Sequence, residues 1–188
     1  MKKFYFIRHA ESLWNIQKLC QGTQDIELSP DGIKSSLAFA KALSTFPVKC
    51  ICTSPLKRAL QTAEMIHAHH PDAHLEQIDE LKERHWGMLE GMSSEQMYAI
   101  EEREESDPSF DPEHGVESRA ALKSRIIRGL DKAFALHPTP LVVSHGRLFL
   151  VLCELLNIPT SRQLPNLTLI EVKNNGLGWN ATPVNLGG

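Results

Sequence analysis

Apolar and polar positions along the chain fall into two kinds of pattern. Residues 3 to 8 (KFYFIR) form a short, almost uninterrupted apolar run rich in aromatics, as expected of a strand covered on both faces in a parallel sheet. Residues 48 to 53 (VKCICT) and 140 to 145 (PLVVSH) repeat that pattern, and LTLIEV at 167 to 172 is strand-like. Between these runs the apolar positions take a helical period. Ser29-Pro30-Asp31 supplies a cap, a first-turn proline and an acid matched to the helix dipole. Ile33, Leu37 and Ala40 follow on one face, so a helix is predicted over about 30 to 45. Ser54-Pro55 repeats the start signal before Leu56, Leu60 and Ala63. Leu122, Ile126, Leu130 and Ala133 or Phe134 mark a longer helix over 116 to 136, and LFLVLCELL follows His145-Gly146 as another. Strands alternating with helices imply a layered α/β fold with a mostly parallel sheet.

Two segments stand outside the pattern. EEREESDPSFDPEH at 101 to 114 carries seven acids, one arginine and two prolines, the composition of a solvated surface excursion. The final NNGLGWNATPVNLGG is turn-rich and expected to be loosely held at its end. No repeat or linker divides the 188 residues, so 1–188 is taken as one domain with an inserted excursion at about 88–118.

Charge and cysteine content narrow the partners. A net charge of -3 and a pI near 6.3 give no basic field for nucleic acid, so any positive site is local. Cys20, Cys50, Cys52 and Cys153 lack paired spacing and suit a reducing compartment. Near the N-terminus only Phe4 to Ile7 is apolar, too short for a signal peptide's hydrophobic region, and no segment approaches a membrane span, so the cytoplasm is the expected location, with no membrane partner. HAHH at 67 to 70, with His74 beyond, has close ligand spacing. At a helix end beside Pro71 it reads as an exposed polar edge, and no metal site is expected. Oligomeric state leaves no signal in the sequence.

The chemistry concentrates at strand ends. In open parallel sheets the ligand crevice lies beyond the carboxyl ends of the strands, and two of the strands end in histidine: Ile7-Arg8-His9 and Ser144-His145-Gly146. TSPLKRALQTA at 53 to 63 places Arg58 one turn into a helix that follows a strand, where exposed amides and the dipole already favour an anion. Any one of these residues alone is an ordinary surface or core residue. As a set, two arginines and two histidines around one crevice make a pocket for a tetrahedral oxyanion such as a phosphoryl group. Cleaving a phosphomonoester also requires a proton for the leaving oxygen. Glu83, in LKERHWGMLEG at 81 to 91, is one candidate, and composition does not separate it from Glu80, Glu90 or Glu11.

FIRHAESLWN, TSPLKRALQTA, LKERHWGMLEG and VVSHG, in that order, resemble the four signature blocks of the histidine phosphatase superfamily, the phosphoglycerate mutase-like family. The resemblance covers roughly residues 3 to 172 and implies a three-layer α/β/α sandwich. By match, His9 resembles the family's nucleophile, which becomes a phosphohistidine. Arg8, Arg58 and His145 resemble the residues that hold the phosphoryl group, Asn15 a further phosphate contact, Glu83 the proton donor, and Gln21-Gly22 a substrate-touching loop. Ser12 lies close enough to His9 in sequence to help line the pocket. No metal or other cofactor is implied, and the partner is a small phosphorylated substrate. Most members carry glycine where this chain has Ala10, so the backbone there becomes a question of φ.

The superfamily contains hydrolases and mutases. ERHWG at 83 to 87 is close to the mutases' ERHYG. CQGTQD at 20 to 25, HGVES at 114 to 118 and PNLTLIEV at 165 to 172 are closer to the phosphatases. The mutases also carry a longer insertion with an adjacent arginine pair. Here the corresponding region is short and acidic, with lone Arg103 and Arg119. A phosphatase is therefore expected, with mutase-type phosphoryl transfer as one alternative. The other is a phospho-ligand binding protein without turnover, which would need neither His9 nor Glu83. Substrate choice is expected to come from the 88–118 excursion and the 20–27 loop.

Overall fold

The computed structural model of the chain describes residues 2–107, 109–160 and 163–186. Its elements run β1 (Lys3–Arg8), α1 (Leu13–Ile16), α2 (Pro30–Ala42), β2 (Cys50–Thr53), α3 (Lys57–His67), β3 (His74–Gln77), α4 (Ser94–Ser106), α5 (Arg119–Leu136), β4 (Leu141–Ser144), α6 (Gly146–Leu155), β5 (Leu169–Asn174) and β6 (Trp179–Pro183). The six strands form one mixed sheet in the order β3-β2-β4-β1-β5-β6. The first four are mutually parallel; β5 runs antiparallel to β1, and β6 antiparallel to β5.

The apolar runs are continuous because both sheet faces are covered. Phe4, Phe6, Cys50, Cys52 and Val142 point to one side, where they meet Leu122 and Ile126 of α5 and Leu148 and Leu152 of α6. Ile7, Ile51, Leu141 and Val143 point to the other, against Ala40 of α2, Leu43, and Ala63 and Ile66 of α3. Successive strand residues thus feed opposite cores, the period-two alternation of a pleated chain. The result is the α/β/α layering that the resemblance implies.

Several local expectations are corrected. α2 buries Gly32, Ser36 and Ala40, whereas Ile33 and Leu37 are exposed. Small residues win that face because a Cβ on Gly32 would lie 2.0 Å from the Glu11 carbonyl oxygen, so the helix sits directly on main chain. α3 begins at Lys57, after Ser54-Pro55, because the Asp25 carboxylate takes the Lys57 amide at 2.7 Å. The acidic stretch is not wholly solvated: its first half completes α4, and Glu104 is buried against Arg84, with 2.8 Å between Arg84 Nη1 and Oε2. Met97, Trp86, Leu89, Val116 and Cys20 form a third small core beneath α4. The turn-rich tail supplies β6, whose pairing with β5 runs from Trp179 to Pro183. Met1, Gly187 and Gly188, which bound the expected domain and its loose end, lie outside the described residues.

His67 and His74, in the cluster with metal-like spacing, bond the Ala73 carbonyl and the Glu76 carboxylate. Among the described residues no helix is long and apolar enough to cross a membrane.

Candidate active site

β1 and β4 are neighbouring parallel strands in which Arg8 lies opposite Ser144, and the His9 amide donates to the Ser144 carbonyl at 2.9 Å. This register sets the two strand-terminal histidines side by side, with ring centroids 5.2 Å apart. His9 Nδ1 lies 2.6 Å from the Ala10 carbonyl oxygen. A carbonyl only accepts, so that nitrogen carries the proton and Nε2 keeps its lone pair. The Asn166 side-chain amide fixes the His9 carbonyl from the other side at 2.6 Å. Burial, then Arg58 and Arg8, push the His9 pKa well below the usual histidine value.

His145 is fully buried and its Nε2 lies 2.8 Å from Ser54 Oγ, while Nδ1 has no partner among the described residues. Burial, with Arg58 the leading charge, lowers its pKa well below the ordinary value as well. Arg8 Nη1 donates to the Leu164 carbonyl, and its buried Nε is unpartnered among the described residues. Arg58, 1 % exposed in the first turn of α3, donates to the carbonyls of Gly22 and Gln24 at 2.7 Å each, and its Nε is likewise open. Burial lowers its pKa to about 10, so it remains a cation at neutral pH. Unpartnered donors at this depth are costly unless a ligand meets them.

Arg8, His9 and Arg58 border a cavity of about 530 Å³ that is also lined by Asn15, Gln21, Gly22 and Glu83, together with α4 and α6 residues. Asn15 accepts the Ser12 amide and hydroxyl through Oδ1, which leaves its Nδ2 as the available donor. Ser12 does not line the cavity. It caps α1, is fully buried, and reaches Gln21 Oε1 at 2.7 Å, so it orders the wall from behind. His145 likewise lies behind the lining residues, next to His9. Ala10 adopts no positive φ, and its amide donates to Thr62 Oγ1 at 3.1 Å, so the methyl in place of the family's usual glycine is unstrained.

Glu83 alone among the four candidate acids lines the cavity. Its Oε1 accepts the Arg84 and Leu148 amides at 3.0 and 2.9 Å, and its Oε2 accepts the Arg147 amide at 3.1 Å. Two of these donors are first-turn amides of α6, where the helix offers free N–H groups. Glu80 pairs with Lys132, and Glu11 with Ser29.

Glu90 has a different position. Its buried carboxylate accepts the Thr23 and Trp86 amides at 2.8 and 3.0 Å and the Gln24 side chain at 2.8 Å, with His85 Nδ1 at 2.9 Å. Burial opposes its charge, but these donors prevail and its pKa lies below the usual carboxylate value. Gly22, at φ +50°, passes directly over it, and a Cβ there would sit 2.0 Å from Oε1. Glu90 thereby ties the 20–25 loop, which holds Arg58, to the 83–90 loop, which holds Glu83. Sequence reading raises Glu90 only as a possible acid; its burial against partners from two loops has no local signature.

Arg147 was also missed. It follows His145-Gly146, lines the same cavity, lies over the Tyr98 ring at 4.9 Å and pairs with Glu101 at 3.3 Å. Both regions expected to govern specificity reach the cavity: Cys20 to Gly22 from one side, and Ser93, Ser94, Glu95, Met97 and Tyr98 from the other.

The sequence profile of the histidine phosphatase superfamily (branch 1) matches residues 4–186. An uncharacterized phosphatase, PhoE, of Bacillus subtilis is 36% identical over 145 residues, covering 74% of this chain and 69% of the relative. A 2,3-bisphosphoglycerate-dependent phosphoglycerate mutase of Chlamydia muridarum is 39% identical over 70 residues, 37% of this chain and 31% of that protein. Among solved structures, a mycobacterial glucosyl-3-phosphoglycerate phosphatase superposes with a TM-score of 0.78 at 22% identity, covering 97% of this chain and 96% of the other. A phosphoglycerate mutase from Bacillus anthracis gives 0.81 at 21% identity, over 97% and 92%. At such identities the structural likeness establishes a shared fold.

Proposed function

The chain belongs to the histidine phosphatase superfamily, and we propose that within it the protein is a phosphomonoesterase that hydrolyses a small phosphorylated metabolite through a phosphohistidine on His9. The observation that carries this reading is the His9 ring, its Nδ1 fixed on the Ala10 carbonyl, in a cavity also lined by Arg8 and Arg58, each with a buried Nε unpartnered among the described residues.

In this reading His9 Nε2 attacks phosphorus. The bond from phosphorus to the leaving oxygen breaks, and the Glu83 carboxyl gives that oxygen its proton. Arg8, Arg58 and Asn15 meet the charge spread over the equatorial oxygens, with the His145 ring packed beside His9. Water then attacks the phosphohistidine and surrenders a proton to Glu83; the P–N bond breaks, releasing phosphate and restoring both residues. Hydrolysis is favoured over mutase transfer because the two arginines of the short acidic region are otherwise engaged. Arg103 stacks on Phe110 at 4.2 Å, and Arg119 pairs with Glu154 at 2.7 Å and Glu104 at 3.4 Å.

The test is phosphate release from a panel of phosphorylated metabolites, ranked by kcat/KM, beside a coupled assay for 3-phosphoglycerate to 2-phosphoglycerate conversion with 2,3-bisphosphoglycerate supplied. Release without conversion supports the reading; efficient conversion overturns it in favour of a mutase. Binding without any turnover would make the protein a phospho-ligand binder.

A further inference from the structure

Behind the cavity, on α5, Arg125 uses all five of its guanidinium N–H groups. Nε and Nη2 donate to the two Glu117 carboxylate oxygens at 2.8 and 2.7 Å. Nη1 donates to the carbonyls of Glu80 and Lys82 at 2.8 and 2.7 Å, and Nη2 also to the carbonyl of Glu83 at 3.2 Å. Glu117 Oε2 in turn accepts the His85 amide at 3.3 Å. Both side chains are mostly buried, at 16% and 15% exposure. The segment they hold carries no regular helix or strand between Lys82 and Trp86, so its path is set by these bonds rather than by its own hydrogen-bond ladder.

We propose that Arg125, locked by Glu117, is a positioning residue for Glu83: it fixes the main chain of the acid from behind, while the amides of Arg147 and Leu148 fix the carboxylate from in front. The inference rests on Glu83 acting as proton donor. Arg125 touches no reacting atom and does not line the cavity. A planar fork is suited to this task because one rigid group reaches three carbonyls and a carboxylate at once, which a lysine cannot do. Displacing the acid by an ångström degrades proton transfer while leaving the nucleophile and the oxyanion donors where they were.

Leaving-group dependence separates this role from a purely structural one. An aryl phosphate such as p-nitrophenyl phosphate departs as a stable phenolate and needs little protonation. An alkyl phosphate such as glycerol phosphate departs as an alkoxide and depends on the acid. For Arg125→Met, kcat/KM for the alkyl ester is expected to fall by about 100-fold and that for the aryl ester by under about threefold. Arg125→Lys should give a smaller loss with the same selectivity, and Glu117→Gln should resemble it. Circular dichroism and melting of each variant show that it is folded. Glu83→Gln is the reference and should show the largest selectivity. If Glu83→Gln is selective and folded Arg125→Lys and Glu117→Gln slow both esters equally or not at all, the positioning role is overturned alone. Without selectivity in Glu83→Gln, the acid assignment falls and the inference with it.

Discussion

His9 Nδ1 and the carbonyl of Ala10, the next residue in the chain, are 2.6 Å apart. The tautomer of the proposed nucleophile is therefore set within a single peptide unit, at the point where β1 ends. His9→Ala should reduce phosphate release from p-nitrophenyl phosphate at least about 10³-fold, and the native protein should carry an acid-labile phosphoryl label after rapid quench. Full activity of the variant or a label on another residue would refute the nucleophile. Release by the native enzyme should be insensitive to a chelator.

Arg58 binds the 20–25 loop through two carbonyls, lines the cavity and leaves its Nε without a partner among the described residues. Arg58→Met should lower kcat/KM by about 10²- to 10³-fold and weaken inhibition by orthophosphate. Arg58→Lys should restore little of either, because a point charge cannot hold two carbonyls and an oxyanion together. Measurement of kcat, KM and the inhibition constant for both variants decides the point.

Glu90→Ala should destabilise the fold by about 3 kcal/mol, since it leaves buried amides of Thr23 and Trp86 without an acceptor. The urea midpoint should fall with little change in slope. Equal stability of variant and native protein would contradict the bridging role.

Stability should decline as pH falls below about 6.5. Burial, then Arg58 and Arg8, lower the folded-state pKa of His9; for His145 burial is followed by Arg58, His9 and Arg8. Between the folded and unfolded values the unfolded chain binds more protons, so unfolding free energy rises with pH there and is lost on acidification. The slope is up to about 1.4 kcal/mol per pH unit for each ring. Urea titrations from pH 7 to 5 measure it, and His9→Gln should remove part of it.

Ala10→Gly should lower stability by about 0.5–1 kcal/mol without improving catalysis. Ala10 has an ordinary φ, so glycine offers no relief and adds freedom to the unfolded chain. A gain in stability would show that the methyl is strained.

How much of this was legible in sequence depended on whether an interaction was local. β1, β2, β4 and β5 were visible because strands covered on both faces must be apolar at almost every position. β3 and β6 were not, because edge strands such as HLEQ and WNATP carry polar residues. α4 was hidden by its acids, whose burial is decided by partners distant in the chain: Glu104 meets Arg84 and Arg119. Arg8, His9, Arg58 and His145 were readable because each occupies a strand end or a helix start, where topology alone predicts convergence. Preferring Glu83 to Glu80, Glu90 and Glu11 as the proposed proton donor needed the four-block resemblance. The tie made by Glu90 and the five bonds of Arg125 are tertiary facts without a local pattern.

The order of strands in the sheet has a consequence for the moment at which such an enzyme is completed. β1 ends in Arg8, with His9 next, and precedes the other described elements, yet its two sheet neighbours, β4 and β5, lie far along the chain. Phe6 waits for Val142 on one side and Ile170 on the other. A chain that has not yet formed β5 leaves one edge of this apolar strand open, with His9 at its end, a segment prone to association. The convergence of β1 with the His145 end of β4 and the protection of that strand therefore depend on the same distant pairings.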